Sequence, residues 1–212
     1  MKLHVEPRIV KIWAQFKKEK PPCSIALDGY VKGEPRFDAK GSYANFNHHE
    51  DVDRLATRST CCQVHVAIKQ GLIDNYRTNG KVEGNIFVND PDQDTSLAYW
   101  LLQNHERILG RKSEPLINRL VNLIDLLDTT AGVYPIDPLS ETMRKIAWIF
   151  EPYTNARING RLFKMDASEM ENVIEAVNER ISRHVMGEIC EIEPDCRYER
   201  IGGGDNWAMI KK

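Results

Sequence analysis

Residues 43–68 read YANFNHHEDVDRLATRSTCCQVHVAI: an apolar run, two adjacent histidines, then a stretch of different periodicity. Tyr43 to Asn47 is short and apolar enough for a strand. From Ser59 onward Cys62, Val66 and Ala67 recur at helical spacing, Ser59 is a capping residue type and Gly71 supplies a stop. Strand, polar loop and helix follow one another. Residues 84–104, GNIFVNDPDQDTSLAYWLLQN, repeat that order, with an apolar run, an acidic loop and a helix predicted from Thr95 to Asn104. Upstream, CSIALDGY (residues 23–30) reads as a third strand, closed by a turn at Asp28 and Gly29.

Strands alternating with helices predict an α/β fold in which a parallel sheet is flanked by helices. Three further helices are expected: Ser113 to Leu127, residues 140–152 ending at Pro152, and a long amphipathic helix from Asp166 to Gly187 with an N-cap aspartate and a terminal glycine. The loop from Thr154 to Phe163 is the best boundary. It gives an α/β domain over 1–153 and a helical C-terminal segment over 154–212. The strand-like run after the glycines at 202–204 raises the expectation of a truncated second domain.

The 212 residues are 42% apolar and 28% charged, which describes an ordinary chain with a core. No run reaches the roughly 18 to 20 apolar residues of a spanning helix, and the N-terminus has no signal-peptide core, so no membrane partner and a cytoplasmic location are expected. A net charge of −2 provides no global basic footprint for nucleic acid. The five cysteines, an odd count, argue against a disulfide framework and for reduced thiols, since Cys61–Cys62 and Cys190–Cys196 lack the tighter paired spacing of zinc sites.

In a parallel α/β sheet the loops at the carboxyl ends of strands converge on one edge, where ligands bind. Asp28 follows SIAL, His48 and His49 follow ANFN, and Asp92 and Asp94 follow NIFV. Asp128 follows LIDLL, a helix end or short strand. Taken singly, these are solvated turns or helix-start acids. Together they are the oxygen and imidazole donors that hold divalent ions. Arg54 and Arg58 flank the start of the helix after His49, where backbone N–H groups favour an anion, although both also suit a solvated loop. Trp13, Trp100 and Trp148 fall in apolar helical patterns and read as core, whereas Trp207 beside the glycines is the better candidate for a ligand contact.

FNHHED with RSTCCQV resembles the Asp-His-His signature of the DHH phosphoesterases and the helix start after it. FVNDPDQDTSLA is similar to that family's acidic motif and LLDTTAG to its Asp-Thr motif; the resemblance spans residues 23 to 135. It implies a DHH-like α/β domain and a manganese- or magnesium-dependent hydrolase, with one or two ions. The substrate would be a nucleotide, a short oligonucleotide or another phosphorylated small molecule. Residue by residue, it makes Asp28, His48, Asp92, Asp94 and Asp128 metal ligands, with Asp28 bridging. It makes His49 the phosphate contact, and Arg58 joins it as a candidate catalytic residue. Three positions depart from the pattern. The acidic motif follows the His-His motif instead of preceding it, and Val88 stands where the acidic motif has histidine. Asn47 replaces the first aspartate, with the expectation that it still orients His48. Asn89 and Asp90 are oxygen donors next to the missing histidine. A catalytically inactive nucleotide- or protein-binding relative is the alternative expectation.

Overall fold

The computed structural model describes residues 1–110, 114–188, 198–201 and 208–211. The chain runs β1 (Lys2–Val5), α1 (Trp13–Glu19), β2 (Ser24–Leu27), β3 (Arg36–Asp38), β4 (Tyr43–Phe46), α2 (Arg54–Thr57) and α3 (Thr60–Lys69). A small hairpin, β5 (Arg77–Thr78) and β6 (Lys81–Val82), precedes β7 (Asn85–Val88), α4 (Gln93–Gln103), α5 (His105–Leu109) and α6 (Pro115–Thr129). The remainder is α7 (Glu141–Ile149), α8 (Glu151–Ile158), α9 (Ala167–Val185) and the antiparallel pair β8 (Tyr198–Ile201) and β9 (Ala208–Lys211).

Five strands form one sheet in the order β1-β7-β2-β4-β3. β1, β7, β2 and β4 are parallel, so their carboxyl ends share one edge. The expected all-parallel sheet is mixed, because β3 pairs antiparallel with β4. Only residues 39–42 separate the two, too few for the crossover that parallel pairing needs. Two strands of this sheet were not anticipated: β1 and β3 are short edge strands, and β3 (RFD) has a single apolar residue.

Register explains the core. Ile25 lies beside Ile86 and Ala44, and all three face α3, α4, α6 and α9 in one apolar cluster. Ala26 lies beside Phe87, and these pack on the opposite face with Tyr43, Tyr30 and Phe16 of α1. Ile174, Val177 and Ile181 of α9 join the first cluster, so the helical C-terminal part packs on the same core as the sheet.

Helix ends follow local chemistry. Ser59 caps α3, its hydroxyl accepting from Cys62 N, and Gly71 beyond it adopts φ +92. Asp166 and Glu169 form a reciprocal capping box at the start of α9, and Gly187 adopts φ +72 beyond its end. α6 begins with Pro115 in its first turn; Ser113, the expected start of this helix, lies outside the described residues. Pro152 does not stop a helix as expected: α7 ends at Ile149 and Pro152 occupies the first turn of α8, where its missing N–H costs nothing. α8 therefore fills half of the loop expected at 154–163.

Trp100 is buried and donates to Ser182 Oγ at 2.8 Å, Trp13 stacks on Phe16, and Trp148 lies beneath Arg180 and Arg183. Trp207, Cys190 and Cys196 lie outside the described residues, and Cys23, Cys61 and Cys62 are free thiols. Among the described residues no helix is long and apolar enough to cross a membrane.

Candidate metal centre

The edge formed by the carboxyl ends of β2, β4 and β7 carries the polar residues picked out in the sequence. Asp28 ends β2 in the left-handed region, at φ +41, followed by Gly29 at φ +77. Aspartate tolerates this conformation better than most residues, and the sharp turn aims its carboxylate across the sheet edge. A side chain at position 29 would meet the His49 ring, its Cβ standing 3.4 Å from Cδ2. Thr60 Oγ1 donates to Asp28 Oδ1 at 3.3 Å and to the Phe46 carbonyl at 2.9 Å, and Thr95 Oγ1 donates to Asp28 Oδ2 at 3.4 Å. Neither threonine stood out in the sequence.

His48 follows β4 and is fully buried. Its Nε2 lies 3.0 Å from Asp128 Oδ2, 3.3 Å from Asp28 Oδ1 and 3.5 Å from Asp94 Oδ2. Neither ring nitrogen makes an aligned hydrogen bond. The expectation that Asn47 orients this ring fails. Asn47 donates to Gly33 O and to Glu50 Oε2, and accepts from His49 N, so it shapes the loop instead. His49 is about a third exposed; its Nε2 is 2.7 Å from Asp28 Oδ1, and its ring lies over that of His48 at 4.4 Å between centroids.

Asp92 is the N-cap of α4, accepting from Thr95 N at 2.7 Å. Asp94, two residues on, reaches across to α3. Its two oxygens accept from Thr60 N at 2.6 Å and Cys61 N at 2.7 Å. The anion expected at the start of α3 is therefore a side chain of this chain. Asp125 completes the arrangement: fully buried on α6, it accepts from Ser59 N at 2.8 Å and pairs with Arg58. That pairing occupies the guanidinium of Arg58. Arg54, by contrast, reaches Asp128, with Nη2 3.5 Å from Oδ2 and 3.3 Å from the carbonyl.

Asp128 sits in the last turn of α6, where the helix dipole disfavours a carboxylate. Asp125 was overlooked in the sequence although it stands three residues before Asp128 on the same helix face, one turn nearer the helix start. Two acids spaced to point the same way were the available signal.

The electrostatics describe a site short of positive charge. Burial, with Asp28 and Asp128 nearby, pushes Asp94 up to about 7. Burial and Asp28 bring Asp90 to about 6 and hold Asp92 well above the usual carboxylate range. Burial would raise Asp28 too, but the imidazoles of His48 and His49 beside it hold it below that range. Burial works against the charged form of His48, yet Asp128 and Asp28 outweigh it and lift the imidazole to about 10.

A cation fits these donors. Asp28, His48 and His49 form one group of mutually close donor atoms, and His48, Asp94 and Asp128 another. Ligands about 2.1 Å from one cation stand roughly 3 Å apart when at right angles, close to the spacings around His48 Nε2. A buried imidazole with its Nε2 3.0 to 3.5 Å from three carboxylate oxygens could serve as a ligand once it gives up its proton. Val88, at the position that lacks a histidine, is fully buried in the core.

No family model, no curated protein and no solved structure matches this chain.

Proposed function

We propose that the chain is a metal-dependent phosphohydrolase of the DHH type that acts on a phosphoester or phosphoanhydride of a nucleotide, short oligonucleotide or other phosphorylated small molecule. Asp28, His48, Asp94 and Asp128 would hold a manganese or magnesium ion, with Asp92 beside them. The observation that carries the reading is buried His48, close to three carboxylates and hydrogen-bonded to none. When bound, the cation would supply Lewis acidity to a phosphoryl oxygen and acidify a water.

The protein's own groups supply the rest. His49 carries its positive charge more readily because Asp28 accepts its proton-bearing nitrogen, and its exposed ring edge offers that charge to a phosphate. Thr60 and Thr95 fix the Asp28 carboxylate, and Asp94 ties the acidic loop to the start of α3. Arg58, occupied by Asp125, would reach a phosphate only by giving up that pairing.

Manganese titration by calorimetry, wild type beside His48→Ala, tests the reading together with hydrolysis of pyrophosphate and a dinucleotide. One or two ions bound by the wild type and none by the variant, with turnover that a chelator stops, is the expected result. Absence of manganese and magnesium binding by the wild type overturns it. The alternative, a binding module without turnover, is favoured by Val88. A ligand that raises the melting temperature equally with and without chelator, and is never hydrolysed, would establish it.

A further inference from the structure

A cavity of about 430 Å³ opens between the edge hairpin β3–β4, helix α3 and the turn that follows it. Phe37, Phe46 and Leu72 give it apolar walls, and Gln63, Gln70 and Asn75 bring side-chain amides to it. Among the described residues no carboxylate borders it. Its volume lies within the range of small-molecule sites, and its make-up, apolar surface with a few polar groups, is theirs as well.

Its position ties it to the metal centre. Phe46 ends β4, and His48 comes two residues later. Thr60, bonded to Asp28 and Asp94, lies one turn before Gln63, roughly 5 Å along the helix at 1.5 Å per residue. Gln63 joins the two places directly, because its Nε2 donates to the carbonyls of Asn47 and Arg58 on the loop that carries His48. Its Oε1 is buried and has no hydrogen-bond partner among the described residues. A buried acceptor left without a donor is costly, so a ligand N–H would relieve it. Phe37 is 47% exposed on an edge strand, an aromatic face open to stacking.

We infer that this cavity holds the nucleobase of the substrate, so that the phosphohydrolase acts on nucleotides in preference to phosphates without a base. The inference rests on the proposed function, and it follows from the lining. Side-chain amides match the donor and acceptor edges of a base, an aromatic ring matches its face, and the absence of acids suits a group tethered to a phosphate. Stacking on Phe37 and a hydrogen bond to Gln63 Oε1 would hold the base while the phosphate reaches the ring of His49.

The test compares adenosine 5′-monophosphate with ribose 5-phosphate on the manganese-loaded protein, and adenosine alone in the presence of chelator, all by calorimetry. Manganese stoichiometry is measured first, so that failure of the metal centre is seen separately from failure of the cavity. The nucleotide is expected to bind at least tenfold more tightly than the sugar phosphate, and adenosine to bind without metal. Phe37→Ala should weaken the nucleotide about tenfold, the usual worth of one stacked base, and leave ribose 5-phosphate and manganese binding unchanged. Gln70→Ala, at an exposed position, should weaken the nucleotide by a smaller factor. Equal affinity for nucleotide and sugar phosphate overturns the inference. So does a Phe37→Ala protein that folds normally and binds the nucleotide like the wild type.

Discussion

Asp125→Ala should cost more stability than its distance from any ligand group implies. The carboxylate is fully buried, and its Oδ1 is the acceptor for Ser59 N, itself on a fully buried residue. Truncation leaves that N–H without a partner, about 1 to 3 kcal/mol, and removes an anion from the start of α3, roughly 0.3 to 1 kcal/mol more. The ion pair with Arg58 adds little, because the arginine side chain is 44% exposed and rehydrates when released. The sum is about 1.3 to 4 kcal/mol. With a urea slope of about 2 kcal/mol per molar, the midpoint of unfolding should fall by roughly 0.7 to 2 M. Asp125→Asn keeps an acceptor for Ser59 N and should recover about half of the loss. Manganese affinity should fall alongside in Asp125→Ala, since Asp128 stands one turn further along α6. A midpoint shift below about 0.25 M, equivalent to about 0.5 kcal/mol, would refute the claim that Asp125 fastens α3 to α6.

Thr60→Val removes the hydroxyl that bonds Phe46 O and Asp28 Oδ1 while keeping the side-chain shape; thermal unfolding should show a loss of about 1 to 2 kcal/mol, and calorimetry a weaker manganese site. Gly29→Ala places a methyl group against His49 on a backbone at φ +77, so chemical denaturation should register a loss of about 1 to 2 kcal/mol, with metal binding through His48 retained. Glu6 gives a pH test away from the metal centre: burial would raise its pKa, but hydrogen bonds from Lys20 and Tyr30 outweigh burial and lower it. A lowered folded-state pKa means that the contribution is present above the unfolded value of about 4.3 and is lost as pH falls through the folded value. Glu6→Gln should therefore destabilise the protein at pH 7 by on the order of 1 kcal/mol, with the gap between variant and wild type closing below pH 4.

The sequence is legible where a local signal and a tertiary role coincide. β2, β4 and β7 are short apolar runs ended by turn residues, and each is also a buried strand, so pattern and position agree. Helices α3 and α9 announce their ends through Ser59, Gly71, Asp166 and Gly187. Where the tertiary role dominates, the pattern is silent. β1 is a strand because β7 offers it an edge, and β3 because a short turn returns the chain alongside β4. The site divides in the same way. Asp28, His48, Asp94 and Asp128 are readable as polar residues at element ends, and the fold brings them together. What Asp94 does with its oxygens, and that Asp125 claims Arg58, depends on α4 and α6 meeting the start of α3, and no spacing along the chain encodes that encounter.

The departures around Asp92 bear on how many cations such a centre would take. Its first set of donors, Asp28, His48, Asp94 and Asp128, is complete and clustered on one buried imidazole. A second cation beside Asp92 would need Asp28 to bridge, but Asp28 Oδ1 already faces His49 Nε2 at 2.7 Å. Asp92 also spends an oxygen on the first turn of α4, and Val88, buried against the core, offers no nitrogen in place of a histidine. A second ion would have to displace His49 and rely on oxygen donors alone. Each requirement weakens it relative to the first. On the proposed reading, one cation with His49 in place of a second positive charge is the arrangement these residues would favour.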